Sequence, residues 1–283
     1  MCTIAREAYH FCRFSLLAPE GSGSGSGGSG PSPVHTCPDS SGELPAGPGA
    51  GPLLLAVPGD DAAVAEVWCC ACRRRVAEFR GEASGRKLGM VMSLALYQTP
   101  AAPEGGDTAV PDGSGSGSGS GEGGSSSAAR GGVFLAAGYE EGSLVVWDLA
   151  APAGAAPAAQ RRLHTEPMMA LALDPGGAGG VCGAAESKLT CFRVDHAAGE
   201  IRVTQTIDLR KEGISDVAVR PDGRLLVSAG WDGRVRVYKR SSGRALAVLK
   251  ARGAGWCWFA WGRPLSCCAA LELLVVRLLR RWP

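Results

Sequence analysis

The chain has 283 residues, with 29 Lys and Arg against 27 Asp and Glu, and the resulting net charge of +2 gives no field that would mark it for nucleic acid or a membrane surface. Its 42 Gly and 18 Pro are gathered in stretches that cannot pack, so the foldable part is smaller than the length implies. The 11 Cys are expected to be reduced: Arg6, Glu7 and His10 stand where a secretory signal needs an apolar run, and the thiols read as small fillers of strand faces.

In chain order, residues 10–17, 53–57 and 64–69 alternate as strands and, with 76–80 outermost, give a first, partial four-stranded unit. Strands at 90–97, 133–139, 144–149 and 160–165 form the second unit, those at 168–173, 180–185, 189–194 and 201–209 the third. The fourth takes 214–219, 225–229, 234–238 and 245–251. Two segments rich in Gly, Ser and Pro, 21–51 and 101–132, interrupt the order and are expected to be disordered insertions. Loop closure costs only about 0.6 kcal/mol per doubling of length, so a fold can carry them.

The units share a frame. Leu144-Val145-Val146-Trp147-Asp148 follows the turn Gly138-Tyr139-Glu140-Glu141-Gly142, and Val235-Arg236-Val237-Tyr238 follows Gly230-Trp231-Asp232-Gly233, with Thr190-Cys191-Phe192 between them. A period of about 40 to 45 residues, with an acidic Gly turn ahead of a strand that ends on an aromatic, marks WD-repeat propeller blades. The expected fold is therefore all-β: a WD-repeat β-propeller over 1–252, an incomplete ring of about four recognisable blades, with a divergent hydrophobic tail at 253–283. Innermost strands repeat Leu-Ala-Leu, Leu-Ala-Leu and Val-Ala-Val at 94–96, 171–173 and 217–219, the small Ala fitting where blades crowd. The tail clusters Trp256, Trp258, Phe259 and Trp261 ahead of an apolar run that Glu272 and Arg277 make too interrupted to span a bilayer.

A complete blade ties a His before its inner strand, a Ser or Thr on the second strand, an Asp in the turn and a Trp on the third into a buried hydrogen-bonded chain. Trp147 and Asp148 close the second blade. His164 stands in the His place of the third, with Cys182, Glu186 and Phe192 in the others. Ser228 and Asp232 match in the fourth, where Arg210 and Tyr238 replace His and Trp. No blade has all four, so stability is expected to rest mainly on apolar packing.

Nothing points to catalysis. His10 and His35 lie outside any constellation, His196 follows Asp195 at a strand end, and no nucleophile elbow, zinc-protease motif or phosphate loop occurs. Cys69 and Cys72 have zinc spacing, yet no second Cys or His pair complements them. No catalytic residue, cofactor or metal is expected.

The strings LLLAVPG at 53–59, KLGMVMSL at 87–94, LAAGYEEGSLVVWDL at 135–149 and SAGWDGRVRVY at 228–238, with HFCRFSLLA at 10–18 and LAVL at 246–249, resemble the beta-subunit-like branch of the WD-repeat family. The resemblance implies a propeller of about seven blades and a non-catalytic adaptor, linked to the chaperone machinery that stabilises phosphatidylinositol-3-kinase-like kinases and to DNA-damage signalling. The partners it implies are other proteins, kinase-maturation co-chaperones among them, in cytoplasm or nucleus, without nucleic acid or membrane. The alternative is a heterotrimeric G-protein beta subunit, but the residues before His10 lack the heptads that would pair with a gamma subunit. A ubiquitin-ligase substrate receptor would need a docking module that is not visible.

Overall fold

The computed structural model describes residues 12, 14–17, 53–83, 86–100 and 131–250. The insertion at 21–51, all but the end of that at 101–132, and the tail at 253–283 lie outside the described residues, as do His10 and His35.

Among the described residues there are four antiparallel sheets of four strands, each built from consecutive strands in chain order. The first holds β1 (Ser15–Leu17), β2 (Leu54–Pro58), β3 (Val64–Cys69) and β4 (Arg75–Arg80). After a short hairpin of β5 (Glu82–Ala83) and β6 (Arg86–Lys87) comes the second, with β7 (Val91–Gln98), β8 (Val133–Tyr139), β9 (Ser143–Asp148) and β10 (Ala159–Arg162). The third holds β11 (Ala170–Leu173), β12 (Gly179–Gly183), β13 (Lys188–Asp195) and β14 (Glu200–Asp208). The fourth holds β15 (Ile214–Val219), β16 (Leu225–Gly230), β17 (Arg234–Lys239) and β18 (Ala245–Lys250). This is the arrangement of an open WD β-propeller.

The first unit is not partial: β1 pairs with β2 through Ser15, Leu16 and Leu17, so it is a four-stranded blade like the rest. The outer strand of the second blade ends at Arg162 and not at 165. The amides of Leu163 and His164 donate to the Gly142 carbonyl at 3.0 and 3.1 Å, which draws the chain off the ladder and toward the next blade. The β5–β6 hairpin had no counterpart in the sequence pattern.

Alternation along the inner strands sorts side chains between blades. Leu94 and Leu96 of β7 pack in the core shared with the first blade, whereas Ala95 packs in the core shared with the third. Leu171 and Leu173 likewise face back to the second blade, and Ala172 faces on to the fourth. Large residues thus fill the gap behind each inner strand, and the small Ala meets the large residues of the strand in front.

Between the first two blades this core closes on an aromatic contact. Phe79 of β4 stacks on Trp147 of β9 with ring centroids 5.3 Å apart, and Tyr139 meets the same indole edge-on at 6.0 Å. Trp147 is 3% exposed. Trp147→Ala is expected to cost about 3–5 kcal/mol of stability in urea denaturation, from lost burial plus the cavity left behind. Leu246→Ala, at an exposed position of β18, is expected to cost less than about 0.5 kcal/mol.

Candidate functional site

Trp147, Asp148, Ser228 and Tyr238 lie on strands, and Asp232 at the turn between the second and third strand of its blade; in the first three blades the chain that enters the next blade, which carries His164 into the third, passes beside that turn. Backbone bonds join the two. Met168 N–H donates to Tyr139 O at 3.2 Å, Ile214 N–H to Ala184 O at 3.0 Å, and Val91 N–H to Ala62 O at 2.8 Å. Gly142 allows a close approach there: its φ is +85°, and a Cβ would stand 2.2 Å from the His164 carbonyl oxygen.

In the third blade the structure brings His164, Glu186 and Cys182 together. His164 is 2% exposed, with Nδ1 at 2.6 Å from Glu186 Oε1 and Nε2 at 3.2 Å from Cys182 Sγ. Burial holds the imidazole below its ordinary pKa despite the Glu186 carboxylate beside it, so the neutral ring donates from Nδ1 and accepts at Nε2. The thiol of Cys182, pushed well above its usual range by burial, keeps its one hydrogen and donates it to Nε2, the Thr190 carbonyl at 3.4 Å being the alternative acceptor. Burial works to raise the Glu186 carboxyl, but the bond from His164 and the charge of Lys188 at 3.3 Å prevail and hold it below the usual carboxylate range. Thr165 donates to the same carboxylate from its amide and its hydroxyl, each at 3.3 Å. Cys182 and Glu186 therefore complete a polar chain that sequence patterning expected to be broken, because a thiol can donate and the longer Glu reaches the ring. Phe192, fully buried, adds packing to it and no hydrogen bond.

The fourth blade solves the same problem differently. Asp232 accepts from the Arg234 amide at 3.2 Å and from Arg236 Nη1 at 3.1 Å, and its other oxygen pairs with Arg236 Nη2. The bond from Arg236 is the main reason its carboxyl stays below the ordinary range. Gly230 makes room, since a Cβ there would lie 2.8 Å from Asp232 Oδ1 and 3.1 Å from Arg236 Nη1. Arg210, in the His place by sequence, is exposed and takes no part in this arrangement. Ser228 is fully buried on β16 opposite Arg236, and Tyr238 is 3% exposed on β17 opposite Leu226.

Trp147 lies in the core between the first two blades, away from His164, while the neighbouring Asp148 accepts the Ala150 amide at 2.8 Å and holds the following turn. In the first blade Glu66, 5% exposed, accepts from the Trp68 indole at 2.8 Å and from Arg75 at 3.1 Å. Sequence reading missed Glu66, Arg75 and Arg236. The signal was present in two of them: one charged residue inside an alternating apolar strand, Val-Ala-Glu-Val-Trp and Val-Arg-Val-Tyr, marks a buried ion that needs a partner. Chemically these groups hold turns. Among the described residues, no three His, Cys, Asp or Glu side chains converge as a metal site would require.

Asp232→Ala is expected to cost about 3 kcal/mol in denaturant unfolding, because it strands the buried Arg236 guanidinium. Asp208→Ala, exposed on β14, is expected to cost under about 0.5 kcal/mol. The pH dependence has a definite sign. An unfolded His takes its proton near 6.5, whereas His164 in the fold resists it to lower pH, so stability falls as pH drops from 6.5 downward. Glu186, with its folded pKa below the ordinary 4.5, adds a second loss as pH falls through that lower value. Thermal melts from pH 7.5 to 5 are expected to show a shallower decline for His164→Gln than for the parent chain.

Residues 202–239 match the WD domain, G-beta repeat family. The match opens on the outer strand β14 of one blade and runs through β15, β16 and β17 of the next. The chain is similar to mouse guanine nucleotide-binding protein subunit beta-like protein 1, 31% identical over 201 residues, which are 71% of this chain and 52% of that protein. It is also similar to ASTRA-associated protein 1 of Aspergillus flavus, 36% identical over 89 residues, 31% of this chain and 20% of that protein. The Verticillium alfalfae ASTRA-associated protein 1 is 30% identical over 125 residues, 43% of this chain and 31% of its own. The chain spans about half the length of the mouse relative and less of the fungal ones. With four blades of four strands, a matched repeat and these relatives, the chain is a WD-repeat protein similar to the G-protein beta-like proteins.

Proposed function

We propose that the chain is a non-catalytic scaffold that holds other proteins together, in the assemblies that its ASTRA-associated relatives are named for. The observation that carries this is the use made of the polar motif side chains. The His164, Glu186 and Cys182 chain and the Asp232–Arg236 pair are spent on joining turns to neighbouring strands, with the ring buried and the thiol kept protonated. The blades are thereby rigid supports for the exposed loops at their ends, which is how a propeller offers binding surface. The expected partners are kinase-maturation co-chaperones of the phosphatidylinositol-3-kinase-like kinases, and the expected place is cytoplasm or nucleus. Residues 1–252 would supply the propeller and 253–283 a separate hydrophobic tail.

Affinity purification of the tagged chain from cells, beside the full-length mouse relative, tests this by mass spectrometry. Co-chaperones of kinase maturation are expected with both baits. Recovery of G-protein gamma subunits without them would overturn the proposal in favour of a G-protein beta-type subunit.

A further inference from the structure

Two open hollows meet at the turn end of the third and fourth blades, opposite the end that carries His164 and Asp232. One, of about 540 Å³, lies between the blades and is lined by Asp174, Pro175, Arg193 and Gln205. The other, of about 610 Å³, is lined by Arg220, Arg224, Lys239 and Leu246 of the fourth blade. Arg240 and Ser241 border both, so the two form one groove. Arg240 reaches across the junction, its Nη2 at 2.5 Å from Asp174 Oδ2, and fixes the floor.

The groove concentrates charge that the whole chain lacks. Arg193, Arg220, Arg224, Lys239 and Arg240 line it, against the single lining carboxylate of Asp174, in a chain of net charge +2. Arg220 is held by Asp222 and Arg240 by Asp174. The side chains of Arg193, Arg224 and Lys239 are exposed and have no ion pair among the described residues. Apolar contacts are available beside them, from Leu246, which is 39% exposed, and from Pro175.

We infer that this groove is a docking site for an acidic segment of a partner protein, one in which Asp and Glu side chains flank an apolar residue. The inference rests on the scaffold reading above and gives the chemistry of one of its partners. Carboxylates of the segment pair with Arg193, Arg224 and Lys239, and its apolar residue covers Leu246. Single-stranded nucleic acid fits the groove less well. No lining residue is aromatic, so there is no platform on which bases could stack.

The test uses the full chain and a fluorescein-labelled dodecapeptide of Glu and Asp with one central Leu, followed by anisotropy. The peptide is expected to bind, more weakly as salt rises. The triple variant Arg193→Glu, Arg224→Glu, Lys239→Glu is expected to lose at least about tenfold in affinity (about 1.4 kcal/mol). Lys211→Glu, an exposed reversal outside the groove, is expected to change it less than about twofold, well under 1 kcal/mol. Arg193→Glu and Arg224→Glu singly, each with an unchanged thermal melt, guard against a triple variant that unfolds. Absence of peptide binding, equal losses in the groove and at Lys211, or tighter binding of a 12-nucleotide single strand would overturn the inference. If cellular partners are still recovered by a chain that ignores the peptide, the groove fails and the scaffold reading stands.

Discussion

A four-stranded sheet of this kind has two apolar faces and can cover neither by itself. Everything else in the molecule follows from that constraint. Each blade must be pressed between neighbours, and the inner strands show how the two faces are told apart: Leu94 and Leu96 fill one junction while Ala95 yields space in the next. A one-residue slip of β7 would exchange these faces, driving Leu side chains into the tight side and leaving a void on the other. Register between blades is therefore set by alternation within a single strand, before any polar contact is made.

Polar groups then lock what packing has placed. The turn after the second strand of each of the first three blades bonds to the segment entering the next, so a blade is fixed at its corner as well as across its faces. Polar side chains reinforce the turns and strand ends, with different residues in each blade. Glu66 works with Trp68 and Arg75, Glu186 with His164 and Cys182, and Asp232 with Arg236. Each set satisfies a carboxylate, buried at Glu66 and half-buried at Glu186 and Asp232, with donors of suitable reach, since an unpaired ion there would cost energy. Geometry is preserved while the residue types vary.

The two long insertions attach at equivalent points of adjacent blades. One joins β1 to β2 and the other β7 to β8, where the Thr99 amide and the Gly132 carbonyl close the stem at 2.9 Å. In the third and fourth blades the same connection is a short turn at Asp174 to Ala178 and at Arg220 to Arg224. The basic groove is thus formed where these connections are tight, and the long ones leave from the same end of the other two blades.

The sequence alone carried the repeat, the strand content and the order of blades, because each depends on local patterning: alternation of period two, acidic Gly turns, and an aromatic at the end of a strand. It also located Trp147, Asp148, His164, Ser228, Asp232 and Tyr238 in their blades, since these occupy fixed offsets from the turns. What the tertiary structure decided was partnership. That Cys182 serves as donor to His164, that Arg236 and not Arg210 holds Asp232, and that Arg75 reaches Glu66 all depend on side-chain length and on which residues the register sets opposite one another. The stack of Phe79 on Trp147 joins residues from neighbouring blades, and Arg240 reaches Asp174 across 66 positions of chain. No local pattern encodes such contacts, because they exist only once the faces of separate sheets have been pressed together.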